Sequence, residues 1–104
     1  MASNYNQALK IHPEYQLAYY DRGVVFYDRH DYDLAVADLS KAIELDPKDS
    51  LAYYNRGLTF RAKGEFDNAQ TDFDQSIKLD PKNPLPYYNR GLAFRDKGEQ
   101  DRAI

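Results

Sequence analysis

Apolar and aromatic positions along the chain fall into blocks that return every 34 residues. Tyr19-Tyr20-Asp21-Arg22-Gly23 comes back as Tyr53-Tyr54-Asn55-Arg56-Gly57 and again as Tyr87-Tyr88-Asn89-Arg90-Gly91, and Pro13, Pro47 and Pro81 keep the same step. A fixed period of this length marks one supersecondary unit copied in tandem, each copy burying its apolar face on its neighbour. Such a chain is an array rather than a globule around a central active site.

Within one period the apolar spacing is helical and breaks once. A first helix is expected over about residues 51 to 63, stopped by Gly64, which accepts the left-handed conformation that ends a helix. A second is expected over about residues 66 to 79 and ends at Asp80-Pro81, because proline cannot continue it. The next first helix opens with Asn83 as cap and Pro84 at its first position. Pro86 still lies in the first turn, where a missing N–H costs little. Connections this short require antiparallel neighbours, so each repeat is a helical hairpin. His30 stands where the other copies have Gly64 and Gly98, so its turn is expected to be the least ideal.

The two helices differ in how many of their faces are apolar. On the second, Phe66, Ala69, Phe73, Ser76 and Ile77 make one broad stripe, while Asp67, Asn68, Gln70 and Lys78 face away. On the first, Tyr53, Gly57 and Phe60 share one face, where glycine admits a close partner helix. Leu51, Tyr54, Leu58 and Arg61 share roughly the opposite face, with Asn55 and Ala62 at its edge. A helix apolar on two faces is either buried twice or lends its second face to something else. The expected architecture is all-α and two-layered, with second helices outside and first helices inside, the latter keeping a semi-apolar face.

Composition changes this picture little. The 104 residues are 42% apolar and 30% charged with a net charge of -3, ordinary for one helical domain and near the lower end for a comfortable core. No apolar run approaches the ~20 residues of a membrane span. The polar opening Met1 to Gln7 does not read as a signal peptide; together these favour the cytoplasm while leaving the compartment open. With no cysteine, disulfides and thiolate metal sites are excluded. Interspersed charges with an acidic balance argue against a nucleic-acid partner, which wants a basic face. Six of the ten tyrosines fall in the three Tyr-Tyr pairs, so the repeat itself explains most of their excess.

These residues resemble the tetratricopeptide repeat. The pattern runs Tyr19…Gly23…Phe26…Ala35…Leu39…Ala42…Pro47, then Tyr53…Gly57…Phe60…Ala69…Phe73…Ser76…Pro81, with a third copy, Tyr87…Gly91…Phe94…Ala103, cut off. The resemblance covers essentially the whole chain. It implies a right-handed superhelical solenoid of antiparallel helix hairpins. One array over 1–104 would divide into a partial repeat (1–15, second helix alone), repeats over 16–49 and 50–83, and a truncated repeat over 84–104. Tyrosine replaces the usual tryptophan, and Arg22, Arg56 and Arg90 replace the usual leucine before each glycine. Those charges must be compensated or reach outward. Asp38 and Asp72 also repeat at 34, so Arg–Asp pairs are expected within repeats (Arg22–Asp38, Arg56–Asp72) or across them (Asp38–Arg56, Asp72–Arg90). Their expected role is to set register, not to bind a ligand.

In proteins similar to this one, the first helices line a concave groove for a peptide or helix of a partner. The resemblance places Leu17, Tyr20, Asp21, Val24, Tyr27 and Asp28 there, then Leu51, Tyr54, Asn55, Leu58, Arg61 and Ala62, then Leu85, Tyr88, Asn89, Leu92, Arg95 and Asp96. Tyr20, Tyr54 and Tyr88 form a ladder of amphipathic anchors, or else pack between adjacent repeats. Asn55 and Asn89 each carry the donor and acceptor needed to hold a peptide amide. The family's clamp for chaperone C-terminal carboxylates needs basic residues where this chain has Tyr20, Leu85 and Asn89, with Asn55 alone fitting its pattern, so such a tail is not the expected ligand. Arg61 and Arg95 suit an acidic side chain unless Asp28 and Asp96 neutralise them.

No catalytic constellation emerges. His12 precedes Pro13 at a helix end and His30 sits in a turn, and two isolated histidines make neither a catalytic set nor a metal site. Glycines 34 apart serve packing, since a phosphate loop needs them clustered. The expectation is a non-catalytic protein-interaction scaffold without cofactor or metal. The ends add one feature: Ala2 to Ile11 matches the later part of a second helix, and Glu99 to Ile104 the beginning of one. The face of Tyr87, Gly91 and Phe94 should then be open, and uncapped arrays tend to associate. Either the chain is a piece of a longer array, or copies stack head to tail or exchange helices as homo-oligomers. A structural self-assembly unit and the non-catalytic arm of a larger enzyme are the alternative functions.

Overall fold

The structure, a computed structural model, describes residues 15–103. Its five helices are α1 (Gln16–Asp28), α2 (Tyr32–Leu45), α3 (Ser50–Ala62), α4 (Phe66–Leu79) and α5 (Pro84–Ala103). Each packs on the next, and α1–α3 and α3–α5 touch more lightly, so α1, α3 and α5 form one layer and α2 and α4 the other. The result is an elongated solenoid of 48 × 29 × 18 Å. The partial helix expected over residues 2–11, with His12, lies outside the described residues.

Local chemistry sets the helix ends. Asp49 caps α3 by accepting from the N–H groups of Leu51 (3.1 Å) and Ala52 (3.3 Å). Asn83 caps α5, its Oδ1 accepting from Leu85 N–H at 3.1 Å, with Pro84 next in line. After α2 and α4, Asp46 and Asp80 accept from the N–H of Lys48 and Lys82, each at 3.2 Å, making the same turn around Pro47 and Pro81. The hairpin turns both need a left-handed residue: Gly64 has φ +80° and His30 has φ +65°. Glycine takes that conformation freely, whereas a side chain there costs roughly 1–2 kcal/mol, which locates the expected weak turn.

Close approach of the two layers rests on two glycines. A Cβ on Gly23 would lie 2.8 Å from Leu39 Cγ, and one on Gly57 would lie 2.7 Å from Phe73 Cε1. Leu39 and Phe73 are completely buried, as are Ala35, Ala42, Ala52, Ala69 and Ala93. Small residues on one helix thus receive a large one from its partner.

The arginine before each glycine pairs within its repeat where a partner helix exists. Arg22 Nη2 reaches Asp38 Oδ1 at 2.7 Å, and Arg56 grips Asp72 through Nε and Nη2, both at 2.8 Å. Each guanidinium also lies against two aromatic rings: Tyr19 and Phe26 for Arg22, Tyr53 and Phe60 for Arg56. The carboxylate raises the pKa of both guanidiniums. Burial pushes the Asp72 carboxyl up, against the pull of Arg56. Arg56 also donates to Ser40 of the preceding repeat (3.1 Å), and Arg90 uses the equivalent Asp74 (2.7 Å). Repeats are therefore stapled internally and to each other by the same residue.

Two expectations change. The chain does not turn at Gly98: α5 continues as one 20-residue helix to Ala103. Glu99, Gln100, Asp101 and Arg102 present no apolar stripe, so a reversal there would bury nothing, and nothing lies within 4 Å of a Cβ on Gly98. Gln70 does not face away: it is half-buried, and its Nε2 is enclosed without a hydrogen-bond partner. Because α4 packs on both α3 and α5, its solvent strip is narrower than a single amphipathic projection suggests.

Candidate peptide groove

The first helices α1, α3 and α5 stand side by side, and equivalent positions on them form rungs 34 residues apart. Leu17, Leu51 and Leu85 form one rung and are exposed at 67%, 47% and 51%. Tyr88 is 66% exposed, while Tyr20 and Tyr54 are half-buried. Val24, Leu58 and Leu92 are half-buried below them. Asp21 is half-buried and Asp28 exposed.

The asparagines do not stand free. Asn55 Nδ2 donates to Tyr20 Oη and to Leu51 O, both at 2.9 Å; Asn89 Nδ2 donates to Tyr54 Oη and to Leu85 O, both at 3.0 Å. A main-chain carbonyl can only accept, which fixes the carboxamide orientation and occupies both N–H groups. The expected bidentate grip on a peptide by either asparagine is therefore corrected: the donor side holds the preceding repeat, and the carbonyl oxygen remains. The same bonds show that Tyr20 and Tyr54 join repeats, as the packing alternative holds. Burial raises the pKa of Tyr20, Tyr27 and Tyr54, and for Tyr20 the nearby Asp49 and Asp21 carboxylates add to it. These hydroxyls keep their protons and can donate them.

Arg61 is also occupied. It pairs with Asp96 of the next repeat at 2.9 Å, so the expected neutralisation by Asp96 takes place there. Arg95 lies 3.7 Å from Asp96, with its side chain 62% exposed. Beside the Arg61–Asp96 pair is a cleft of about 440 Å³ lined by Tyr27, Leu58, Arg61, Ala62, Lys63, Gly64, Phe66 and Asp96. Lys63, Gly64 and Phe66 were not anticipated as lining residues. They belong to the hairpin turn, and periodicity says nothing of which way a turn folds. Among the described residues no three His, Asp or Glu side chains converge as metal ligands, and no helix is long and apolar enough to cross a membrane.

At the end of the array, Tyr87 and Phe94 are 43% and 59% exposed, and a Cβ on Gly91 would meet nothing within 4 Å. The Arg90 guanidinium lies 5.6 Å from the Tyr87 ring centroid.

This geometry has close counterparts. The TPR repeat family matches residues 25–61 and 57–98, and the chain belongs to that family. No curated protein matches it. Among solved structures, the first TPR of Spaghetti (RPAP3) bound to the HSP90 peptide SRMEEVD superposes with a TM-score of 0.90 at 18% identity, over 93% of this chain and 77% of that one. A crystal structure of MamA protein gives 0.90 at 27% identity, over 98% of this chain and 56% of MamA. A Thermobaculum terrenum O-GlcNAc transferase mutant gives 0.85 at 24% identity, over 88% of this chain but 18% of the transferase. The TPR domain is generally a non-catalytic protein-interaction module.

Proposed function

We propose that this chain is a non-catalytic interaction scaffold whose inner face, formed by α1, α3 and α5, holds an extended peptide or a helix of a partner protein. The observation that carries this is the exposed leucine rung Leu17–Leu51–Leu85: three large apolar side chains in register, each about half exposed or more. An apolar row kept in water on consecutive repeats suits a partner's surface better than the protein's own packing. Around it, the free carbonyls of Asn55 and Asn89 offer acceptors and the hydroxyls of Tyr20 and Tyr54 offer donors, which together match a peptide backbone. The ring of Tyr88 is the anchor left open.

The acidic HSP90 peptide held by Spaghetti is a poor guide to the ligand. Tyr20, Leu85 and Asn89 occupy positions where a carboxylate clamp needs base, and Arg61 is committed to Asp96. Selection of peptides from a displayed random library on this chain tests the proposal. Replacing Leu17, Leu51 and Leu85 together by serine should weaken the selected peptides at least roughly tenfold, the scale of one anchor residue, and leave the melting temperature unchanged. Undiminished binding to that variant would reject the groove.

A further inference from the structure

Given the inner face as a peptide groove, on which this step rests, we infer that the cleft beside the Arg61–Asp96 pair takes an uncharged, leucine- or phenylalanine-sized side chain of the bound peptide, a second anchor beyond the leucine rung. Three repeats meet there: Tyr27 comes from α1, Leu58 and Ala62 from α3, and Asp96 from α5. Leu58 and Ala62 follow Leu51 by seven and eleven residues along α3, about 10–16 Å at ~1.5 Å per residue, and fall within about 20° of it around the helix. Rung and cleft therefore lie at opposite ends of one surface.

The walls fix the chemistry of the guest. Leu58, Ala62 and Phe66 supply apolar surface, and Tyr27 adds a ring with one hydroxyl. Both cations on the wall are already matched. Arg61 reaches Asp96 at 2.9 Å, and Lys63 Nζ lies 2.6 Å from Asp33 and 3.0 Å from Glu65. A charged guest would have to break one of these pairs or lose water with no partner of its own, and either is unfavourable. A neutral apolar side chain asks for neither.

The corresponding place one repeat earlier is built differently. Asp28 stands for Ala62, His30 for Gly64 and Tyr32 for Phe66. The Tyr32 ring lies 5.9 Å from that of Tyr27 and 5.6 Å from that of His30, and Asp28 adds an exposed carboxylate. Rings pack on one another where the second repeat has the small residues Ala62 and Gly64 and keeps a cleft of about 440 Å³.

Peptides selected from the displayed random library on this chain are the probe. They should share two apolar positions about three to five residues apart, the number an extended chain at ~3.3 Å per residue needs to span rung and cleft. Ala62→Trp fills the cleft from an exposed position and should weaken these peptides at least roughly tenfold. Replacing the peptide's second apolar residue by alanine should then cost nothing further. Ala62→Asp, which copies Asp28 of the first repeat, should weaken binding similarly. Thermal melts check both variants, and either one that melts as wild type does is enough. Loss of binding by the triple serine variant at Leu17, Leu51 and Leu85, with full binding to the Ala62 variants, would overturn the second anchor and leave the groove. Loss by the Ala62 variants alone would sink the groove, and with it a second anchor. A peptide that binds as well with aspartate or lysine at its second position would overturn the neutral guest.

Discussion

The stretch from Tyr53 to Leu58 and the stretch from Tyr87 to Leu92 are the same six residues, Tyr-Tyr-Asn-Arg-Gly-Leu, in two different environments. In α3 the glycine is buried under Phe73, the arginine makes a bidentate pair with Asp72, and the chain turns at Gly64. In α5 the glycine is open, the arginine reaches back to Asp74, and the helix runs on through Gly98. A motif of this kind prescribes a face; whether that face becomes core depends on the helix laid against it. Each repeat of a solenoid is completed by its neighbours, not by its own residues.

Breaking the ion pairs should give the largest contrast. Asp72 is almost wholly buried, so Asp72→Ala leaves Arg56 with an uncompensated charge and should cost about 3–5 kcal/mol in guanidinium unfolding. Asp74→Ala removes an exposed partner of Arg90 and should cost under about 1 kcal/mol. Comparable losses from the two would mean that the repeat-to-repeat staple matters as much as the internal one. Acidity offers a finer probe of the same pair. Because burial raises the Asp72 carboxyl, the folded chain holds that proton more tightly than the unfolded chain does. Its stabilising contribution is then complete below the ordinary carboxylate pKa and is lost as pH rises through the raised one. Measured against Asp72→Asn from about pH 3 to 7, wild type should lose relative stability as pH rises. A rising difference would mean that the pull of Arg56 wins.

The glycines should respond with opposite signs. Gly57→Ala forces a methyl against the enclosed Phe73 ring, an overpacking worth about 1–3 kcal/mol that outweighs the gain in helix propensity. Gly91→Ala meets open space and should stabilise by about 0.5–1 kcal/mol. Melting temperatures moving the same way would erase the distinction between the two helices. Next in size, Asn55→Ala and Asn89→Ala each remove a bond to the previous repeat's tyrosine and should cost about 1 kcal/mol by chemical denaturation. The smallest effect is His30→Gly, expected to gain about 0.5–1 kcal/mol by relieving φ +65°. That gain is offset in part by the lost contact with Tyr32, whose ring lies 5.6 Å away.

Much of this was legible in the order of residues alone. Periodicity located the hairpins that turn at His30 and Gly64, Asn83 was readable as the cap that opens α5, and the spacing of Arg22, Arg56, Asp38 and Asp72 announced ion pairs. These are features of one or two turns of helix, or of a strict repeat, and local chemistry suffices for them. The site was less legible. Asn55 and Asn89 looked free because their tyrosine partners lie 35 residues away, across a repeat junction that no helical projection contains. Gln70 looked exposed because a projection considers one partner helix, and α4 has two.

The repeat, its helices and the two hairpin turns at His30 and Gly64 follow from the chain's own pattern, because backbone propensity and apolar spacing act over a few residues; Gly98 stays helical because no second helix packs back on α5. The pairing of Arg22 and Arg56 within their repeats but of Arg90 with Asp74 of the preceding one, the orientation of the asparagine carboxamides and the closing of the cleft beside Arg61 and Asp96 were settled by packing. Each depends on distances between helices, and those arise only when large side chains such as Leu39 and Phe73 settle onto the glycines opposite them.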